Sequence, residues 1–489
     1  MPVWNEPKRR RPALYKQIAQ DLERRISSGE FPPGSKLPSE RTLAKEWNVN
    51  RSTVVSAYEE LRALGLIERM QGSGSRVSSD IWGLARHRLP NWPKLVENGA
   101  FLPNAPLLRH IRKETLDHDL IDFASGELSP DLFPAASFRR ILSEQPFDWQ
   151  LGYDHPQGSP ELRAIIAEHV RQERGINATP SSILITSGAQ QALYLVIQCL
   201  LKPGDAVAIE DPSYCYSLRS FRSAGLKLCY LPVDRDGINP DDILALHREH
   251  RLKMVFLNPH FQNPTGATLS PARKQRVLEL SAELGIPVIE DDPYSMTAFS
   301  GTPVPTLKSL DRNGTVLYIS SLTKIIASGL RIGWVIGPQT VIERLADAKQ
   351  QVDFGHSIFP QWVAHQFLRS PDYEGHMDHL RAALHARRER FVKALREKLG
   401  NEVELFLPEG GIHLWCRFRN ELDGNAVLTE AIRRGVVFVP GNVLGTDKHA
   451  IRFTFGRAEE KSIEEGIQRF AEAYREAVQN FSRTSDPLC

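Results

Sequence analysis

Cysteine is scarce in this chain. Its 489 residues hold five, Cys199, Cys215, Cys229, Cys416 and Cys489, and no two stand in a Cys-x-x-Cys spacing. That argues against a disulfide-built scaffold and a thiolate metal site, so the five are expected to be reduced thiols. Long hydrophobic runs are also missing. No stretch of about 18 apolar residues occurs, so no membrane-spanning helix is expected. The opening Met-Pro-Val-Trp-Asn-Glu-Pro-Lys-Arg-Arg has no apolar centre of a secretory signal, and the expected location is the cytoplasm. No internal repeat or low-complexity tract is visible. Neither sign of charge dominates, with a net charge of only +2.

What the chain does have is length. At 489 residues it is too long for one ordinary core, and two or three domains are expected. The small net charge is uneven. Residues 1–80 hold 14 Lys and Arg against 10 Asp and Glu, a net +4 within a total of +2, which leaves −2 for the remainder. The cluster Lys8-Arg9-Arg10-Arg11 is compatible with nucleic acid and equally with a solvated basic tail.

The N-terminal segment has a helical rhythm. Leu14, Ile18, Leu22 and Ile26 form one stripe, and Gly29 with Phe31-Pro-Pro-Gly34 stops it. Ser39 is placed as an N-cap, ahead of an apolar face of Leu43, Ala44 and Trp47. Asn50 caps a third helix carrying Val54, Tyr58, Leu61 and Leu64, and Gly65 ends it. Two short strands, 66–70 and 76–77, flank the glycine turn Gln71-Gly-Ser-Gly-Ser75, as a wing requires. The domain is placed at residues 12–80. Residues 81–118 carry several prolines and read as a partly helical linker, and a loop of that length marks a domain boundary.

From 119 to 485 short apolar strands alternate with amphipathic segments: 183–185, 206–209, 254–257, 287–289, 316–319 and 334–336. That pattern predicts an α/β domain with a mostly parallel sheet covered by helices on both faces. Its ligands are expected beyond the carboxyl ends of the strands. There stands Ser321-Leu-Thr-Lys324, just past the run Thr315-Val-Leu-Tyr-Ile-Ser320, with Arg331 seven residues further on. A lysine so placed suits an imine with an aldehyde cofactor, and the arginine suits a phosphate.

Several motifs fall in one family's order. They are Ser187-Gly-Ala-Gln-Gln-Ala192, Glu210-Asp-Pro-Ser-Tyr214, Asn263-Pro-Thr-Gly266, Ile289-Glu-Asp-Asp-Pro-Tyr294, Ser321-Leu-Thr-Lys324 and Arg331. This part, about three quarters of the chain, resembles the fold-type I aminotransferases, which use pyridoxal phosphate. The resemblance implies phosphate contacts from Gly188, Ala189, Ser321 and Arg331, stacking by Tyr214, and donors to the phenolic oxygen in Asn263 and Tyr294. It also implies Asp291 at the pyridinium nitrogen and Lys324 as the imine lysine. Tyr153 would reach the phosphate of a neighbouring subunit, implying a homodimer, and Arg452 would grip the carboxylate of an amino-acid-like ligand. A structural ion pair is the rival role for Arg452.

Residues 14–78 resemble the winged helix-turn-helix of the GntR regulators, through Leu37-Pro-Ser-Glu-Arg-Thr-Leu-Ala44, Asn50-Arg-Ser-Thr-Val54, Tyr58-Glu-Glu-Leu61 and Gly72-Ser-Gly74. The match implies Ser39 and Arg41 against the DNA backbone, Arg51, Ser52 and Thr53 at the major groove, and Gly74 in the wing. Val55 stands where some members carry a second arginine, which leaves the base contacts open. A winged helix used for protein contact is the alternative.

The two halves together resemble the MocR group of GntR regulators. The expected function is a bacterial DNA-binding transcription regulator, nucleoid-associated when bound. It would respond to an amino compound through imine exchange at Lys324, as a head-to-tail homodimer. A working aminotransferase is the competing reading, and Asn-Pro-Thr-Gly lies closer to catalytic members. A regulator without cofactor is a third, against which the intact motif set argues. The effector class stays open between an amino acid, a D-amino-acid dipeptide, a γ-amino acid and pyridoxal phosphate itself, as does activation against repression.

Overall fold

The computed structural model describes residues 13–70, 74–78, 95–96 and 98–484, with side chains through 481. The Lys8–Arg11 cluster, the wing-tip residues 71–73, Cys489, residues 79–80 and, in the predicted linker, residues 81–94 and 97 lie outside the described residues. The chain divides into two compact units, Met1–Ala100 and Phe101–Cys489. Within the stretch read as linker, Pro106–Asp117 is a helix of the second unit, and its Ile111 is buried in that unit's core.

In the first unit α1 (Leu14–Ser27), α2 (Glu40–Glu46) and α3 (Arg51–Ala63) precede the antiparallel hairpin of β1 (Ile67–Met70) and β2 (Gly74–Val77). Ile18, Leu22, Ile26, Leu43, Val54, Ala57, Tyr58, Leu61, Ile67 and Val77 share one core. Two expected core residues are exposed instead, Leu14 and Leu64. The helical period explains both. Residues four apart drift by about 40° per step, so a stripe of four is wider than the buried face, and Leu64 lies just beyond the last turn of α3. Ser39 caps α2 as expected, its Oγ accepting from Thr42 N at 3.1 Å. Asn50 occupies the cap position of α3 but makes no side-chain cap bond.

The second unit is built on an eight-stranded sheet. In chain order its strands are β3 (Ile183–Thr186), β4 (Ala206–Asp211), β5 (Lys227–Asp234), β6 (Gly237–Ile238), β7 (Met254–Leu257), β8 (Val288–Asp291), β9 (Val316–Ser321) and β10 (Gly333–Ile336). They lie side by side as β3-β10-β9-β8-β7-β4-β5-β6. The neighbours from β9 through β8, β7 and β4 to β5 are parallel, whereas β10 is antiparallel to both β9 and β3. β5 escaped the sequence reading because its burial alternates and Pro232 interrupts it, so it lacks the continuous apolar run of a central strand. A second, four-stranded antiparallel sheet holds β11 (Val403–Phe406), β12 (His413–Phe418), β13 (Val439–Pro440) and β14 (Ala450–Thr454). Among the described residues no helix is long and apolar enough to cross a membrane.

This topology decides where the chemistry sits. The segments after β3, β4, β7, β8 and β9 all leave the sheet at its carboxyl edge. β10 runs the other way, so its start lies at that same edge, with Gly333 opposite Thr186 and Ser321. Arg331, two residues before Gly333, therefore arrives beside the end of β3.

Candidate functional site

One cavity of about 230 Å³ opens at this edge. Ala189, Tyr214, Asn263, Asp291, Tyr294, Ser321, Lys324 and Arg331 all line it. Gly188 lies directly behind, and Arg452 reaches the cavity wall through Asn263, to which its Nη1 donates at 3.1 Å. Tyr153 is elsewhere, 87% exposed on the surface of its own unit.

The anion-binding end is made by the turn from β3 into α4 (Ala189–Leu200). Gly188 is the N-cap residue at φ 75°, which only glycine adopts without strain. The first N–H groups of the helix have no partner within it and point at the cavity with the positive end of the helix dipole. Arg331 crosses this turn, its Nη2 donating to the Ser187 carbonyl at 2.9 Å. It is held at φ 54°, a left-handed conformation that costs a non-glycine residue about 1–2 kcal/mol. Gly333 completes the fit, since a Cβ there would stand 2.7 Å from the backbone carbon of Gly188. Gly333→Ala is therefore expected to push the turn outward, costing about 1–3 kcal/mol and lowering the Tm of the second unit. An unchanged melting curve would refute this close approach.

The two adjacent aspartates at the end of β8 have separate fates. Asp292 is buried, accepting from Tyr318 Oη at 2.8 Å and Ser295 N at 3.0 Å. Burial pushes its carboxyl up, but the neighbouring His260, with Nδ1 3.5 Å from Oδ1, and the charge of Arg174 outweigh that and hold it well below the usual range. Asp291 faces the cavity. Its Oδ2 accepts the Tyr214 hydroxyl, and its buried Oδ1 has no partner among the described residues. Burial, with Asp292 adding repulsion, raises Asp291 to about 7 against the pull of Tyr214 and Lys324.

Lys324 is half-buried, and its Nζ donates to the Gly126 carbonyl. Burial lowers its ammonium to about 8, with Glu127 pulling it back up and Arg452 pressing it down. Arg452 itself is buried on β14. Its Nη2 donates to the Ala124 carbonyl at 2.5 Å, its Nε has no partner among the described residues, and burial lowers it to about 10. The cavity wall thus holds an unpaired acceptor on Asp291, and behind Asn263 lies an unpaired cationic donor on Arg452.

His413 was not foreseen. It lies on β12 opposite Thr454, where a lone histidine in an apolar strand reads as core, and only the register across the small sheet reveals its neighbours. Its Nε2 sits 3.1 Å from the Tyr294 hydroxyl and its Nδ1 3.1 Å from Thr454 Oγ1. Burial, then the charges of Arg452 and Lys324, hold its imidazole well below the usual value, so it is neutral. If Thr454 donates to Nδ1, then Nε2–H donates to Tyr294 and leaves the phenol proton free for the cavity.

In the first unit most of the predicted contact residues lie at the surface. Ser39, Arg41, Arg51, Ser52 and Gly74 are exposed and Thr53 is half-buried. Arg51 is engaged by Glu40, with Nε at 3.1 Å and Nη2 at 2.8 Å from one carboxylate oxygen.

Comparison with known proteins agrees with both halves. Residues 14–77 match the bacterial regulatory proteins of the gntR family, and residues 118–470 match the aminotransferase class I and II family. The uncharacterized HTH-type transcriptional regulator YdfD of Bacillus subtilis (strain 168) is 38% identical over 94% of this chain and 96% of its own. The HTH-type transcriptional regulator NorG of Staphylococcus aureus (strain USA300) is 30% identical over 89% of this chain and 98% of its own. Among solved structures, kynurenine aminotransferase of Pyrococcus horikoshii, in complex with PMP, superposes with a TM-score of 0.72. It is 33% identical and covers 77% of this chain and 96% of that one. The chain belongs to the gntR-type regulators that carry an aminotransferase class I and II domain, the MocR group.

Proposed function

We propose that this protein is a cytoplasmic DNA-binding transcription regulator whose second unit holds pyridoxal phosphate and senses an amino compound. The observation that carries this is the convergence of eight predicted side chains on one cavity, in a chain that also presents Arg41, Arg51 and Ser52 on a winged helix. The residues suit the cofactor. The Gly188–Ala189 turn, Ser321 and Arg331 form the cradle for its phosphate. The unpaired Oδ1 of Asp291 suits a protonated ring nitrogen, and a cation there would bring that carboxyl back down from about 7. Asn263 and Tyr294 would donate to the phenolic oxygen, and Tyr214 would cover the ring face.

Bound there, the cofactor supplies an aldehyde carbon that exchanges one amine for another. Lys324, lowered to about 8, keeps a useful fraction of neutral amine near neutral pH. Arg452 would orient the effector by its carboxylate through the Nε left unpaired by the protein. Tyr153 and Phe354 stand exposed with ring centroids 5.4 Å apart, beside exposed Leu151 and Val352, and would be covered by a second copy in a head-to-tail homodimer. An effector with unequal affinity for two dimer arrangements would shift DNA binding.

A working aminotransferase is the second reading. It is favoured by the completeness of the cavity and by 31% identity over 79% of this chain to aromatic-amino-acid aminotransferase 1 of Thermococcus litoralis. Binding to DNA upstream of the protein's own gene separates the two. It would be measured at fixed salt, with and without pyridoxal phosphate and a panel of amino compounds. Specific binding that shifts with one compound is the expected result. No specific binding, with robust transamination in the same preparation, would make the protein an enzyme.

A further inference from the structure

The turn that cradles the anion is tied to a distant surface segment by side chains that the proposed function leaves unused. Gln191 lies in the first turn of α4, outside the cavity lining. Its Oε1 accepts from Ser187 N at 2.7 Å, and its Nε2 donates to Asp353 Oδ2 at 2.6 Å. The other oxygen of Asp353 accepts from Lys349 Nζ at 2.7 Å, and Lys349 is itself buried. Ser187 is therefore held on both sides, by Gln191 at its N–H and by Arg331 at its carbonyl. Asp353 directly precedes Phe354, whose ring meets that of Tyr153. Gln361 Nε2 donates to Asp154 Oδ2 at 2.8 Å and to the His356 carbonyl at 3.2 Å, clamping the two surface segments together. Polar contacts thus run from the cradle to Asp353, and the backbone carries the connection on to an exposed aromatic pair.

We infer that Gln191 is a positioning residue that couples occupancy of the phosphate cradle to the Tyr153–Phe354 face, so that cofactor binding strengthens pairing with a second copy of the chain. This rests on the homodimer and cofactor readings above. The physical reason is that Gln191 cannot turn without losing two bonds at once. An anion that draws in the N–H groups of the turn and Arg331 fixes Ser187, and through Gln191 fixes Asp353 and the residue after it. Linkage makes the effect reciprocal, so a cofactor that tightens the dimer also binds the dimer more tightly than the monomer.

The test is the dimer dissociation constant of the full chain by sedimentation, with and without pyridoxal phosphate, for wild type, Gln191→Glu and the double variant Gln191→Glu/Asp353→Asn. The single change keeps the acceptor for Ser187 N–H but sets a carboxylate against Asp353. The double change restores a donor opposite it and keeps an acceptor for Lys349. Wild type is expected to dimerise about tenfold more tightly with cofactor. Gln191→Glu is expected to lose that dependence while still taking up cofactor by absorbance, and the double variant to regain it. Retention of the full dependence in Gln191→Glu, or no recovery in the double variant, overturns the inference. A wild type that dimerises equally with and without cofactor overturns the coupling and leaves the homodimer standing, whereas a wild type monomeric throughout removes both. A wild type that takes up no cofactor removes the cofactor reading and the coupling together.

Discussion

Lys324→Ala is expected to abolish retention of pyridoxal phosphate through desalting and to remove the ligand-induced change in DNA affinity, while ligand-free DNA binding stays within about twofold of wild type. The separation is expected because Lys324 belongs to the second unit and the proposed DNA-contact residues to the first. The same lysine sets a pH dependence in the wild type. Burial lowers its ammonium to about 8, so the reactive neutral amine is a small minority at pH 6 and the majority at pH 9. Covalent cofactor uptake should rise roughly a hundredfold across that interval and level off above it. A solvent-exposed lysine would still be climbing, because its ordinary value is about 10.4. The absorbance of bound cofactor after mixing gives the rate. A profile still rising steeply beyond pH 9 would contradict the environment described for Lys324, and an alanine variant that keeps both cofactor and response would remove its proposed role.

The second large effect concerns Arg452→Gln. A charged hydrogen bond contributes about 1.5–3 kcal/mol, so the concentration of a carboxylate-bearing effector needed for half response should rise roughly ten- to a hundredfold. An amine without a carboxylate should lose little. The variant also leaves the Ala124 carbonyl and Asn263 Oδ1 short of a donor, so a modest fall in Tm accompanies the change and affects both ligand classes alike. The ratio between the two classes carries the information. An equal loss for acids and simple amines would reduce Arg452 to a structural role, through its bonds to Asn263 and the Ala124 carbonyl rather than through an ion pair.

Much of the site was legible because its residues cluster at strand ends. Lys324 follows β9, Asp291 ends β8, and Gly188 opens the helix after β3, so a short apolar run and the residues after it are enough to locate each. The N-terminal unit was legible for a similar reason, since its helices are short, capped and periodic. Legibility failed where position depends on a partner far away in the chain. His413 looks like a core histidine until β12 is laid against β14. Gln191 and Asp353 stand 162 residues apart and meet only in the folded unit. β5, with its alternating burial and its proline, has no local signature of a central strand.

The sequence by itself therefore determined which residues could do chemistry, their order, and the two kinds of domain that carry them, because these depend on local spacing and on side-chain type. Only the tertiary structure decided that β10 turns back antiparallel and delivers Arg331 to the edge where β3 ends. It alone separated the two neighbouring aspartates into one bound among protein donors and one facing the cavity. It also left Tyr153 exposed at the surface rather than in its own cavity. Those outcomes depend on strand order, register and burial, which are properties of contacts between distant segments.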